Sequence, residues 1–579
     1  MDATISAAAS SPKATATTLS FDEFAERFKS VYDRGAIYAV HSNDLNTRSE
    51  KRIRAMSGAI RNKSEWIRKM GDQEIRLRWA QEAKEQGLTE REIDYVFDEL
   101  AFYADLHQPG SGIMLSAVEQ VWQSDSLIDA DLAEKLKQYA AILEDVPEKD
   151  RDYHPNTNKQ VLNLVHPSLF PLIYKKSRLL AEPIKSPEAA VHLKTFGECP
   201  GSLEDWEEAM ARVAGGTQET PAYHVPIGQD DYLSDMFCWL PTEFQVDEDG
   251  ATTVMSYINN LHPVRHAALY PTIAAIFSRF VPMLEHVVTD MLYRRGLRVI
   301  PSPYGWFTHD EPEPEDYDAS DYDERYEEWM ESRTFIEPQP NPFVAPERAM
   351  VPVSLRGRRL QAIFKMSNIQ LTPDNPSYQG GNWHVEAMAN ERIVATGLYY
   401  YDVENITEST LSFREPVDEE LDYEQGDRDG VGRAYGIYDG EGFNGSVPLV
   451  QQIGSVEATN GRCIVFPNIY QHQVSGFELA DKTKPGHRKI LAFFFIDPTV
   501  RIPSTEIVPP QQRDWWADEV MDVLGNLPLL VREAIVDHVD FPISLEAAKE
   551  LRLKLMEERS KNNDEASEAF QPDFYLCEH

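Results

Sequence analysis

At 579 residues the chain is longer than a single hydrophobic core usually supports, so two packed units, or one large domain with flanking helices, are expected. Its 96 acidic against 56 basic residues give a formal charge of −40, a field that repels phosphate backbones and anionic bilayers and argues against nucleic acid or membrane as partners. Cys199, Cys238, Cys463 and Cys577 lie far apart with no CxxC pair, offering neither a disulfide framework nor a thiolate zinc site; a reducing compartment, most simply the cytoplasm, follows.

Residues 1–20, "MDATISAAASSPKATATTLS", lack the basic and apolar regions of a secretory signal and read as a disordered tail. No run reaches the about 18–20 apolar residues of a membrane span. From Phe21 to Leu143 apolar residues recur three and four apart, as in "KSEWIRKMGDQEIRLRWAQEAKEQG" and "DADLAEKLKQYAAILEDV", the period of amphipathic helices. Thr89 followed by Glu92 forms a capping box that opens one of them. "KSPEAAVHLKTF" and "SLEDWEEAMARVAG" extend this character, so 21–220 is predicted to be mainly helical.

A second region, 221–510, changes period. Two β-rich runs around "DEDG" predict a hairpin, and "PVRHAALYPTIAAIFSRFVPMLEHVVTDMLYRRG" predicts a long helix kinked or broken at Pro271 and Pro282. His262 and His266 stand at helical spacing, but "HPVRH" lacks the glutamate of a metalloprotease helix, and neither is taken as a ligand. The acidic, tyrosine-rich stretch 309–332 reads as a solvated loop or insertion. Beyond 350 come short β-rich runs, "RRLQAIFKMSNIQLTP", "ERIVATGLYYYDVEN", "ESTLSFREP", "GSVEATNGRCIVFPN" and "HRKILAFFFIDP", which predict an antiparallel sandwich or barrel. Residues 511–579 return to helix and end in a polar tail; no internal repeat is found.

The chemistry lies in the β-rich part. In an extended segment residues i and i+2 share a face, so His384 and Glu386 of "WHVE" aim an imidazole and a carboxylate at one point. His472, after the apolar strand "GRCIVFPN", is the best third ligand; two histidines and one carboxylate on one face of an octahedral ion suit non-haem Fe(II). Arg488 opens the next apolar strand, where its permanent charge asks for a counter-ion such as a substrate carboxylate.

This series resembles the double-stranded β-helix (jelly-roll) of the Fe(II)- and 2-oxoglutarate-dependent oxygenases. More closely, "SYINNLHP", "LTPDNPSYQGGNWHVE", "ERIVATGLYYYD" and "FELADKTKPGHRKILAFFFIDP" resemble a large, mostly fungal family catalogued as a domain of unknown function, a similarity spanning about residues 21–510. The resemblance implies an α+β fold with a jelly-roll core between extensive N- and C-terminal helices. It implies that His384, Glu386 and His472 are catalytic and hold Fe(II), and that Arg488 grips the far carboxylate of 2-oxoglutarate. A C–H bond of a small-molecule substrate would be oxidised with molecular oxygen, hydroxylation being the default and desaturation or ring closure its variants.

Lys365, Tyr399 and Tyr401 lie on flanking strands, either contacting the cosubstrate or packing; Trp383 and Asn382 adjoin the first ligand, and His487 faces away from Arg488. The glycine-rich "YGIYDGEGFNGSVP" is expected to form a loop over the site mouth. Glu386 departs from the superfamily's usual Asp, which leaves the metal open. Two alternatives stand beside the oxygenase: a cupin-like zinc or manganese enzyme, and a non-catalytic scaffold whose helices and acidic segment bind a partner. The apolar helix faces would also serve a homodimer.

Overall fold

The run "RKILAFFFI" is apolar at nearly every position, which suits a strand covered on both faces. The structure, a computed structural model, describes residues 19–32, 44–202 except 193–198, 205, 208, 233–308 except 294 and 303, 322–347, 351–417, and 421–574 except 422, 424–426, 438–446, 449, 571 and 572. The strands that position the site are β1 (Trp122–Ser124), β2 (Val161–Val165), β3 (Thr242–Val246), β4 (Arg359–Leu371), β5 (Ile393–Glu404), β6 (Thr410–Pro416), β7 (Val450–Glu457), β8 (Cys463–Pro467), β9 (Gln471–Val474) and β10 (Gly486–Ile496). The helices used below are α1 (Arg48–Arg61), α2 (Glu90–Asp105), α3 (Ala130–Glu144), α4 (Leu269–Asp290) and α5 (Leu545–Phe570).

The fold is α+β. A ten-stranded antiparallel sheet carries β1, β8, β5, β10, β4 and β2 side by side, with β3 along the first residues of β4. A second sheet, β7-β6-β9, has three strands. On the outer face of the large sheet Phe493 and Phe495 meet α4, where Phe277 lies 5.2 Å from the first ring and 5.6 Å from the second. Phe494 points the other way, 5.6 Å from Trp239. Gly397 makes the close approach of α4 to the sheet: a Cβ there would stand 2.8 Å from Phe280 and 2.9 Å from Phe495. Across the gap between the sheets, Phe466 of β8 touches Phe413 of β6 at 5.1 Å, and both are fully buried. Each such ring contributes about 1.5–3 kcal/mol by leaving water.

The predicted hairpin is present: β3 pairs antiparallel with Thr252–Val254 around "DEDG", and Gly250 takes φ +90° at the turn. The capping box of Thr89 and Glu92 opens α2. Helices also follow residue 511. Other expectations change. The long helix is one continuous element, with Pro271 in its first turn, where no intrahelical N–H bond is lost, and Pro282 inside it. Region 21–220 is not purely helical, because β1 and β2 come from it and join the large sheet; "WQS" and "VLNLV" are too short to show a period. The described part of "KSPEAAVHLKTF" holds a 3-10 turn, Glu188–His192, in place of an α-helix. Within the acidic stretch Tyr322–Ser332 is an α-helix: the segment is free of proline, and Tyr326 and Trp329, three apart, touch at 5.3 Å. The N-terminal tail to residue 18, most of "SLEDWEEAMARVAG", residues 309–321 and most of the "YGIYDGEGFNGSVP" loop lie outside the described residues. No described helix is long and apolar enough to cross a membrane.

α1, α2 and the segment after α4 are joined by buried charge. Arg298 meets Glu50 at 2.8 Å, Glu99 at 2.7 Å and also Glu119, while Arg295 meets Glu99 at 2.6 Å. Every carboxylate in this group faces a guanidinium, which is what allows so many charges to leave water.

Candidate metal centre

"WHVE" lies outside the named strands, yet its main chain is held as if it were one. His384 N donates to His472 O at 3.2 Å and His472 N donates to His384 O at 2.9 Å, so the first ligand is bridged to the edge of the small sheet opposite the third. Directly opposed residues project to the same side, which brings the imidazoles to a centroid distance of 4.3 Å. Glu386 is fixed by a residue the sequence reading did not single out. Asn468, just past β8, accepts from Glu386 N at 2.9 Å and donates to Glu386 O at 3.1 Å and Ile393 O at 3.1 Å. An asparagine directly after "IVFP" was the available signal.

The result is one cluster. Donor atoms of His384, Glu386 and His472 all lie within 4.8 Å of one another, and among the described residues this is the one such group of three or more. Glu386 Oε1 is 3.3 Å from His472 Nε2 and 3.9 Å from His384 Nε2. His384 Nδ1 lies 2.8 Å from Asn382 O, a bond that puts the proton on Nδ1 and leaves the Nε2 lone pair facing the carboxylate. His472 is buried beneath Phe466 at 4.9 Å, its Nδ1 without a hydrogen-bond partner among the described residues, whereas about a third of the His384 side chain stays open, marking the accessible side. Burial, then the His472 ring, pushes His384 down to about 4. Burial would raise the Glu386 carboxyl, but the His472 hydrogen bond, both rings and the Lys365 ammonium hold it at about 2. Near neutral pH the cluster therefore offers a free imidazole and an ionised carboxylate, the forms a divalent ion requires.

The three candidates for gripping a cosubstrate are not brought together. Arg488 and Lys365 share the inner face of the large sheet, but Arg488 pairs with Ile369 and Lys365 with Ala492, four residues apart on β4. At the strand rise that is about 13 Å between backbones. Tyr399 is a correction: β5 turns it to the outer face, against Cys463 and Asp129 at the start of α3, with Tyr401 6.3 Å away on the same side and bonded to Asn368. Strand alternation instead puts Tyr400 inside, 5.7 Å from the Arg488 guanidinium.

Arg488 is buried, donates to Ser409 Oγ at 2.8 Å, lies over Phe477 at 5.3 Å, and meets no carboxylate among the described residues; its Nε is unpaired. His487 faces away and bonds Asp402 at 2.8 Å, as alternation predicts. Trp383 stacks under Arg414 at 4.7 Å. His262 and His266 stand apart from the cluster; His262 Nδ1 accepts from Val264 N and Arg265 N, a capping role.

The family of proteins of unknown function DUF4246 matches residues 90–519, and the chain belongs to it. No curated protein matches. Among solved structures, the chain is similar to a bsmA homolog from Methylobium petroleophilum PM1 at 8% identity, covering 26% of this chain and 45% of that one, with a TM-score of 0.15. It is also similar to the Fe(II)/α-ketoglutarate-dependent dioxygenase TqaL, at 9% identity, 66% and 96% coverage and TM-score 0.21. A third is the oxalate decarboxylase of Lactobacillus farciminis, at 9%, 33% and 38%, TM-score 0.11. The chain thus spans less than half the length of the first and third of these structures.

Proposed function

We propose that this chain is an Fe(II)- and 2-oxoglutarate-dependent oxygenase that oxidises a C–H bond of a small molecule, and that its two facing sheets form a jelly-roll. The observation that carries the reading is the convergence of His384, Glu386 and His472 on one point in the inter-sheet gap. A buried guanidinium with no carboxylate partner among the described residues lies on the inner face of the same gap.

The donor set fits a facial two-histidine, one-carboxylate site, which leaves half of an octahedral ion's positions for exchangeable ligands. When bound, the iron supplies the oxidising chemistry, with 2-oxoglutarate as the co-reductant that leaves as succinate and carbon dioxide. The protein's own part is positional. Asn468 fixes the carboxylate's main chain and Asn382 O fixes the His384 tautomer. Phe466 and Phe413 exclude water behind His472. Arg488, oriented by Ser409, would bind the far carboxylate of 2-oxoglutarate, with Tyr400 and Phe477 as apolar walls. The missing counter-charge at Arg488 favours this reading over a cupin-like enzyme, which has no need of an acid at that depth.

Anaerobic Fe(II) with 2-oxoglutarate should give a weak visible charge-transfer band in the native protein and none in His472→Ala. Succinate release under air should follow the same pattern. A protein that binds Fe(II) without the band, or releases succinate equally well in His472→Ala, would refute the proposal.

A further inference from the structure

Lys365 is a second cation on the inner face; it is half-buried and, apart from the nearby charge of Glu386, has no hydrogen bond or salt bridge among the described residues. Its place follows from register. Phe364 packs outward on Phe493 at 5.7 Å and Asn368 outward on Glu144 of α3 at 2.8 Å, so Lys365 turns into the gap, where its field acts on Glu386 and His384. On its other flank are His154 and His166, 5.3 Å apart between ring centroids. His166 is 5% exposed; its Nδ1 accepts from Ser168 N at 3.2 Å, and its Nε2, which then carries the proton, has no acceptor among the described residues. Arg552 and Arg559 stand close by, but each is matched, by Asp152 at 2.7 Å and by Glu391 respectively.

Charge matching separates Lys365 from the cosubstrate. The double charge of the ion together with Arg488 balances Glu386 and the two carboxylates of 2-oxoglutarate, leaving the Lys365 ammonium over. Four residues of β4 separate Lys365 from the position opposite Arg488, about 13 Å of backbone, so the two cations stand at different ends of the inner face. We infer that the primary substrate is itself a carboxylate, its carboxylate held by Lys365 and the free N–H of His166 so that its carbon skeleton reaches toward the metal centre. A single negative charge completes the balance; a dianionic phosphate would leave an uncompensated charge beside Glu386. This rests on the oxygenase reading, since the leftover charge is counted against iron and 2-oxoglutarate.

The test uses the anaerobic Fe(II)·2-oxoglutarate complex and pairs of probes that differ only in charge: butyrate, octanoate and benzoate against their primary amides. Binding is read as a shift of the visible band and of the melting temperature. At least one acid should bind, with its amide at least tenfold weaker. Lys365→Met should weaken the acid at least tenfold while leaving 2-oxoglutarate affinity within twofold, and Lys365→Arg should retain most of the binding. Equal binding of acid and amide, binding by no acid, or a Lys365→Met defect in 2-oxoglutarate rather than in the acid would each overturn the inference. The acid and amide comparison needs no variant, so it holds even if Lys365→Met folds poorly. Failure of the oxygenase reading looks different: no band forms with 2-oxoglutarate before any probe is added.

Discussion

Two regions of this molecule bury charge in opposite ways. In the helical layer Arg298 and Arg295 are surrounded by Glu50, Glu99 and Glu119, and every carboxylate meets a guanidinium within salt-bridge distance. In the inter-sheet gap Arg488 is buried and Lys365 half-buried, neither of them in a salt bridge among the described residues, while three potential ligands crowd one point. A compensated network is complete in itself and holds elements together. An uncompensated one leaves charge that a ligand would complete, which makes the gap the place to seek a binding site.

The sharpest way to break this contrast is at the metal centre. His472→Ala should lower 2-oxoglutarate turnover at least about ten-thousandfold, equivalent to about 5 kcal/mol of barrier, with little change in urea midpoint. A large loss of stability would place His472 with the structural charges instead. Arg298→Met should do the reverse, costing about 3–5 kcal/mol in urea unfolding because it removes the guanidinium that three glutamates share, while Fe(II) affinity stays unchanged.

Acid should distinguish the same two regions. Burial raises Glu50 and Glu99, but Arg298 and its neighbours outweigh it, so both titrate below their ordinary value of 4.5 when folded. The unfolded chain therefore takes up protons first. The stability these groups add is complete above pH 4.5 and is lost as pH falls further, and Arg298→Met should flatten that decline in melting curves.

Smaller effects follow. Gly397→Ala should cost about 1–3 kcal/mol, since its methyl must displace Phe280 or Phe495, and a neutral result would mean that α4 is free to shift. Arg488→Met should leave stability unchanged or raise it by about 1 kcal/mol, because an unpaired buried charge is removed, while 2-oxoglutarate affinity measured calorimetrically falls sharply. If Arg488→Met destabilised the fold as Arg298→Met does, the contrast between the two regions would fail.

The sequence by itself determined the elements and the pattern of the site. Short β-rich runs bounded by turn residues located the strands, "WHVE" carried two donors at i and i+2, and a histidine and an arginine followed or headed successive strands. Those facts are local, and local periodicity is written in the chain. Tertiary structure alone decided the rest. Register chose Tyr400 over Tyr399 for the inner face, and the bridge between His384 and His472 closed the ligand set. Asn468 was recruited across the fold, and β1 and β2 were drawn from a helical stretch into the large sheet. Pairing partners and counter-charges come from residues far apart in the chain, so only packing shows which buried charges are matched and which await a ligand.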